Sequence, residues 1–388
     1  MKKVLFVSKT RGFFNHLFNT KFNGWMISSL NNSYEKFTMK KKILSLVGRS
    51  TILDIIGYIH TIKTVTNKAD IYATYNRFLE ADVPYIIYLE NPTALFHYKL
   101  KRYSTKMGKR NLTKLINDKN LKAVICMSEA CREGFIKLYG PIIERDDLII
   151  EQIYPLITEE KLQIDTRHND NKKFSLLFIA QGKGFISKGG IEVVNTFIQL
   201  EKKIKNIELN IITSNNDIPP KVLLKINNSE NINLIEFGIS YDELKKYYIE
   251  SNVLIHLTRQ DSFGLTILEA MKYATPVITT KLYSIPELIK ENKNGYLTEP
   301  SYWFFNQENL PNPAVWNNRR NTIFSKKSDK SKEKFLYDKI IYLYENREDY
   351  NQLKDTAYRN SKEKPFSEEF IINKWENLLN KIEMRKEK

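Results

Sequence analysis

Two α/β domains of similar size, each built on a mostly parallel sheet, are what this sequence predicts. Three observations carry the prediction. Short apolar runs alternate with longer amphipathic ones through the first half. The chain then turns polar between Pro155 and Lys173, and beyond that point a second series of the same rhythm begins. A length of 388 residues suits two or three domains at ~150 residues each.

The elements follow in order. Lys3–Ser8 reads as the first strand; its apolar run, Val4-Leu5-Phe6-Val7, is too short for the core of a signal peptide despite the basic start. Further strands are expected at Ile43–Val47, Asp70–Ala73, Tyr85–Leu89, Ala123–Met127 and Leu148–Gln152. Helical spacing marks His16–Ser29 and Ser128–Leu138, with Ser128 placed to cap the second. The polar stretch TEEKLQIDTRHNDNKK is the linker candidate. The second series expects strands at Lys173–Ala180, Ile207–Thr213, Ile232–Phe237, Val253–Leu257, Pro276–Thr279 and Gly295–Thr298. Helices are expected at Lys188–Glu201, Tyr241–Glu250, Leu265–Tyr273 and Ile285–Ile289. Tyr302–Asn321 has no clear period and reads as an irregular excursion. Ser328–Tyr344 and Phe366–Ile382 look helical, the last with an apolar stripe of Phe370, Trp375, Leu378, Leu379 and Ile382 that a protein body would cover. The domains are therefore drawn at 1–165, 166–365 (with the excursion at 301–328) and a terminal helix at 366–388.

Composition narrows the function classes. Lys and Arg number 61 and Asp and Glu 45, leaving +16, which favours an anionic partner: nucleic acid, acidic lipid or a phosphorylated small molecule. No stretch approaches the ~18 uncharged apolar residues of a membrane span. Cys126 and Cys131 are too few for a disulfide framework and fit a reducing cytosol. There is no D-x-D pair, and His16, His60, His97, His168 and His256 do not form a metal-ligand spacing, so no metal or other cofactor is expected.

Two segments carry chemistry. In FIAQGKGFISKGG, residues 178–190, a strand enters a glycine-containing loop and a helix follows. Gly182 and Gly184 permit close backbone approach, Lys183 and Lys188 supply cations, and a helix start offers unpaired N–H groups; together these suit a diphosphate. The string is not a P-loop. In RQDSFGLTILEAMKYATPVITT, residues 259–280, Asp261 precedes Glu269 by eight positions and Gly264 opens the intervening helix. Glu269, set among Leu265, Ile267, Leu268 and Ala270, has a use if it accepts hydrogen bonds from a diol such as a ribose; Asp261 either takes sugar hydroxyls or caps the helix.

Residues 178–299 resemble the nucleotide-sugar half of the family 4 retaining glycosyltransferases of the GT-B fold. The resemblance rests on Lys188-Gly189, on Phe263-Gly264-Leu265 followed by Glu269, and on ATPVITT, SIPELI and NGYL. Two departures stand out: Lys183 replaces the usual arginine, and Asp261 replaces the first glutamate of E-x7-E. The resemblance implies two Rossmann-like domains facing each other across a cleft, with the terminal helix packing back on the first. It implies that Lys183 and Lys188 hold the donor diphosphate, and that Glu269 binds the ribose. Asp261, Ser262 and the amides of Phe263, Gly264 and Leu265 would hold sugar and phosphates beside Gly182. Phe237, Gly238 and Ile239 would border the base, and Arg11 and Gly12 would face the donor from the other domain. Glu90 and His97 would lie on the acceptor side.

The function so implied is metal-independent, retaining transfer of a sugar from a UDP- or GDP-linked donor to a glycan or lipid-linked glycan, in cell-surface polysaccharide synthesis. Basic residues interleaved with aromatics — Lys36, Lys40, Lys41, Lys42, Arg49, Lys99, Lys101, Arg102, Lys106, Lys109 and Arg110 — with the apolar segment Thr51–Ile62, suit a cytoplasmic enzyme peripheral on an anionic membrane face. Rival readings are glycosyl transfer to nucleic acid, which no RNA- or DNA-binding motif supports, and a non-catalytic nucleotide-sugar-binding partner subunit. A phosphorylase-like enzyme would need a longer chain and a cofactor lysine site.

Overall fold

The computed structural model describes residues 1–30, 51–63, 68–158 and 173–385. The strand expected at Ile43–Val47, most of the polar linker, and Lys36, Lys40, Lys41, Lys42 and Arg49 lie outside the described residues. The chain divides into two compact units: Met1–Thr158 with Glu308–Leu310 and Glu368–Lys388, and Glu159–Gln307 with Pro311–Ser367.

The first unit holds a sheet of β1 (Lys2–Phe6), β2 (Trp25–Ser29), β3 (Ile71–Tyr75), β4 (Tyr85–Leu89), β5 (Leu121–Cys126) and β6 (Ile149–Gln152), in the order β2-β1-β3-β4-β5-β6. Every neighbouring pair is parallel. β3 and β4 are buried along their whole length, as expected for strands covered on both faces. The expected helix His16–Ser29 is corrected: helix Phe14–Asn19 ends early, and the chain returns as β2. Gly24, at φ +76°, makes the reversal that a helix would forbid, and Met26 and Ile27 then pair with β1. Ser128 caps helix Glu129–Tyr139 as expected, accepting from the Cys131 amide.

Helix Glu368–Met384 belongs to this first unit. Trp375 stacks on Tyr88, Trp25 Nε1 donates to Asn380, and Lys374 Nζ bonds Glu151 at 3.0 Å and the Gln152 carbonyl at 2.6 Å. The stripe Ile371, Trp375, Leu378, Leu379 and Ile382 is buried, so the terminal helix packs back on the first sheet.

The second unit holds β7 (Phe174–Ala180), β8 (Ile207–Thr213), β9 (Ile232–Glu236), β10 (Val253–His256), β11 (Val277–Thr280) and β12 (Gly295–Thr298), in the order β12-β11-β10-β7-β8-β9. All its pairs are parallel. Phe178, Ile211, Phe197, Ile255 and Leu336 belong to one buried core where the helices cover the sheet. The chain works outward from β7 to β9, then returns to lay β10 against β7 on its other side. That reversal opens a crevice beyond the carboxyl ends of β7 and β10, where open α/β sheets place ligands. A helix at Arg347–Lys362 follows Lys330–Glu345; its mostly polar sequence gives little apolar period to read. The excursion contains a short helix, Pro313–Trp316, and a packed aromatic group in which Phe304 stacks on Trp316 and Arg319 lies over the Trp316 ring.

Candidate functional site

The loops after β7 and β10 meet in that crevice. After β7 a tight turn at Gly182–Gly184 leads to Lys188, and helix Gly190–Lys203 begins two residues later than expected. Gly189 sits at φ +86°, and a Cβ there would stand 2.6 Å from Leu257 Cβ and 2.7 Å from its carbonyl oxygen. Glycine is therefore required for this loop to lie against the end of β10. The side chain of Lys183 lies outside the described residues.

Lys188 Nζ reaches across to Asp261 Oδ2 at 2.5 Å and to the Gln260 carbonyl at 3.1 Å. Two of the expected site residues, from separate segments, are thus in contact. Asp261 Oδ1 accepts the amides of Ser262, Phe263 and Gly264 at 2.8, 3.1 and 3.0 Å. This corrects one expectation: the amides of Phe263 and Gly264, foreseen for the ligand, are taken by the Asp261 carboxylate, which occupies the anion seat at the start of helix Leu265–Lys272. Burial works to raise the Asp261 carboxyl, but the Lys188 charge and the bonds from His256 and Lys188 outweigh it and hold it well below the usual carboxylate range. Gly264, at φ +92°, forms the helix entry, and Leu265 is the first helical residue.

Glu269 lies one turn further along that helix and is half-buried. Tyr248, fully buried, donates its hydroxyl to Glu269 Oε2 at 2.7 Å. Among the described residues, nothing bonds the other carboxylate oxygen. Burial pushes the Glu269 carboxyl up to about 7, a rise the Tyr248 hydrogen bond only partly offsets. Tyr273 stacks on Tyr248, and its hydroxyl lies 3.4 Å from that of Tyr241. Directly after β9, on the same edge of the sheet, Phe237 and Gly238 are exposed and Ile239 is half-buried.

Sequence reasoning passed over three residues here. His256, the last residue of β10, places Nε2 2.9 Å from Asp261 Oδ2. Arg259 is 2% exposed and forms a 2.6 Å pair with Glu192, itself buried; it also donates to the Ser325 carbonyl at 2.7 Å. Tyr248 completes Glu269. His256 and Tyr248 lie outside the motif they serve and Arg259 opens it, but the partners of all three come from other elements, so spacing along the chain gave no signal.

In the first unit, Glu90 ends β4 and is 3% exposed. Its carboxylate accepts the hydroxyls of Tyr75 and Tyr98 and pairs with Arg11 Nη2 at 3.2 Å. Burial and the Glu90 charge both raise the Tyr75 and Tyr98 phenols, so they remain donors. Asn76, His97 and Tyr98 around it all adopt positive φ, a concentration of backbone strain of the kind found at functional sites. Gly12 lies in the open turn before helix Phe14–Asn19. His97 Nε2 accepts the His60 amide at 2.8 Å, and burial, then Arg77 and Arg102, lower it to about 3. It is neutral, and that nitrogen is engaged. Arg102, expected on a basic surface, is also corrected: it is buried and bonds Asp54 through Nε at 3.1 Å and Nη2 at 2.8 Å.

Residues 160–303 match the family described as glycosyl transferases group 1. The chain is 25% identical over 303 residues to an uncharacterized 41.2 kDa protein in the cps region of Klebsiella pneumoniae, covering 72% of this chain and 79% of the relative. It is 27% identical over 148 residues to CapM of Staphylococcus aureus, a capsular polysaccharide biosynthesis glycosyltransferase, covering 36% of this chain and 38% of that one. The crystal structure of Anabaena HepE in complex with UDP and glucose superposes with a TM-score of 0.61 at 13% identity, covering 98% of this chain and 100% of that one.

Proposed function

We propose that this chain, which is similar to the glycosyl transferases group 1 family over residues 160–303 and has the fold of the GT-B glycosyltransferases, transfers a sugar from a nucleoside diphosphate sugar to a glycan or lipid-linked glycan, with retention and without a metal, in the making of a cell-surface polysaccharide. The observation that carries this reading is the contact of Lys188 with Asp261 beyond the ends of β7 and β10, with the half-buried Glu269 on the helix that Asp261 caps.

The chemistry follows from charge. Breaking the bond between the anomeric carbon and the phosphate leaves positive character on the sugar and negative charge on the diphosphate. Lys188, at the mouth of a helix-bearing loop, supplies the balancing cation, with Lys183 as its neighbour in sequence. Glu269 offers its open oxygen to the ribose hydroxyls while Tyr248 holds the other. Asp261, ionised and fixed by three amides, orients Lys188 and presents a carboxylate edge to the transferred sugar. Phe237 supplies exposed apolar surface against which a base can stack, beside the half-buried Ile239. The leaving diphosphate then accepts the acceptor's proton on the same face of the sugar, which gives retention.

The acceptor side of the proposal draws on the first unit. Tyr75, Tyr98, Glu90 and Arg11 form a polar group able to bond sugar hydroxyls. Nearby, Ile55 is 70% and Met107 45% exposed, with Ile56 and Tyr58 also outward, among exposed Lys101, Lys106, Lys109 and Arg110. Apolar tips ringed by cations suit an anionic lipid surface, where a lipid-linked acceptor would be met. No helix among the described residues is long and apolar enough to cross a membrane.

The test is a panel of UDP- and GDP-sugars incubated with lipid-linked and free glycans, with product anomers assigned by NMR. Transfer with an unchanged anomeric configuration, in the presence of a chelator, is the expected result. Nucleotide binding without turnover would leave a binding subunit instead, and sugar incorporated into DNA would move the acceptor class to nucleic acid.

A further inference from the structure

We propose that His256 is a positioning residue of the donor site, its Nε2–H fixing the carboxylate of Asp261 so that Lys188 is free to follow the diphosphate. The inference rests on the nucleotide-sugar reading above and concerns a residue outside the motifs that suggested it.

The geometry runs as follows. Asp261 Oδ1 is saturated by the three amides of residues 262–264, and Oδ2 has two partners, Lys188 Nζ at 2.5 Å and His256 Nε2 at 2.9 Å. If Lys188 turned to a phosphate and nothing else held Oδ2, a buried carboxylate oxygen would lose its donor, which is costly. The site would then resist releasing the lysine at the moment charge builds on the leaving group. His256 removes that penalty by keeping Oδ2 bonded throughout. The side chain can do so because it is itself fixed. It is 2% exposed and ends β10, where Thr279 Oγ1 donates to its carbonyl at 2.8 Å. Its Nδ1 faces Thr266 Oγ1 at 3.5 Å, a hydroxyl that donates when Nδ1 carries no proton. Burial, then the Lys188 charge, lower the imidazole below its ordinary value despite the opposing pull of Asp261, so the ring is neutral at pH 7 and has one proton to place. Asp261, which can only accept, requires that proton on Nε2, and the Thr266 hydroxyl is compatible with it.

The need for such a support follows from the aspartate. A side chain one methylene shorter than glutamate brings its carboxylate close to the backbone, where the 262–264 amides capture one oxygen, and the other must be directed from the strand. His256 is the group on β10 that reaches it.

The test compares His256→Leu and His256→Gln with the wild type, using UDP as the binding probe and UDP release from a donor found by the panel as the rate. His256→Leu is expected to keep its melting temperature within a few degrees and its UDP affinity within about twofold, while kcat falls about tenfold, the worth of one well-placed buried hydrogen bond. His256→Gln, which retains an N–H donor, recovers most of the loss. Equal kcat in His256→Leu and wild type, or a loss that His256→Gln does not relieve, overturns the proposal. A separate readout needs no substrate: the imidazole ¹⁵N spectrum of the full chain should show His256 protonated at Nε2, changing in Asp261→Asn. A proton on Nδ1 instead overturns the assignment even if the enzyme is active. Should no nucleotide sugar be turned over at all, the functional reading fails, while the spectrum still decides what His256 does to Asp261.

Discussion

Glu269 and Lys188 divide the work at the level of single side chains. In the proposed function Glu269 holds the ribose through an oxygen that nothing among the described residues uses, so Glu269→Ala is expected to weaken UDP or GDP binding about tenfold, measured by calorimetry, with a smaller effect on kcat at saturating donor. In the same proposal Lys188 meets the charge that develops on the leaving group, so Lys188→Ala should lower kcat by about 10²-fold while nucleotide affinity changes less. Glu269 also makes a pH prediction. Its carboxyl is raised from 4.5 to about 7 by burial, so the folded chain holds that proton more tightly than the unfolded one. Its favourable contribution to stability is complete below pH 4.5 and is lost as pH rises through about 7. Glu269→Gln removes that slope. Thermal melts at pH 5 and 8 should therefore converge in the variant relative to the wild type, by about 3 kcal/mol at most. An unchanged difference between the two pH values would show that Glu269 does not titrate in this range.

At the scale of elements, the site depends on two loops lying closely together and on what fastens them. Gly189 is where the loop after β7 touches the end of β10, and its positive φ leaves no room for a side chain. Gly189→Ala should destabilise the second unit by about 2–4 kcal/mol, seen as a lower melting temperature, and should reduce donor turnover with it. Arg259 fastens the loop after β10 to Glu192 in helix Gly190–Lys203 and to the carbonyl of Ser325. Removing one partner of a buried pair leaves an uncompensated charge, so Arg259→Met should cost about 3–5 kcal/mol in denaturant unfolding. The paired change with Glu192→Leu should restore part of it. The elements themselves were largely legible in sequence, because a parallel strand buried on both faces is a continuous apolar run: β4, YIIYL, and β7, FSLLFIA, could scarcely be anything else. Trp25–Ser29 was not legible, since a short edge strand of alternating burial, just after a helix and before a left-handed glycine is considered, mimics helical spacing. Nor was Arg347–Lys362, a polar helix with few residues to mark its buried face. Within the site, Lys188, Asp261 and Glu269 stand in local motifs and could be named. His256, Arg259 and Tyr248 act through contacts that only folding creates, and the use of the 262–264 amides by Asp261 depends on a rotamer that no sequence displays.

For the molecule as a whole, the +16 charge is unevenly assigned. Arg102 and Arg259 are consumed by buried pairs, whereas Lys101, Lys106, Lys109 and Arg110 remain outward beside Ile55 and Met107. Sedimentation with vesicles containing about one-third anionic phospholipid should therefore retain the protein at low salt and release it as ionic strength rises past the point where the Debye length is ~8 Å. Ile55→Ser with Met107→Ser should weaken retention without changing turnover of a water-soluble acceptor. Equal partitioning onto zwitterionic vesicles would remove the electrostatic part of that account. The central claim, that a nucleoside diphosphate is held where β7 and β10 diverge, is tested most directly by a crystal structure of the chain with bound UDP or GDP. The diphosphate is predicted within hydrogen-bonding reach of Lys188 and the ribose on the open oxygen of Glu269. A nucleotide bound at any other place, with both side chains left as they are in the free protein, would contradict it.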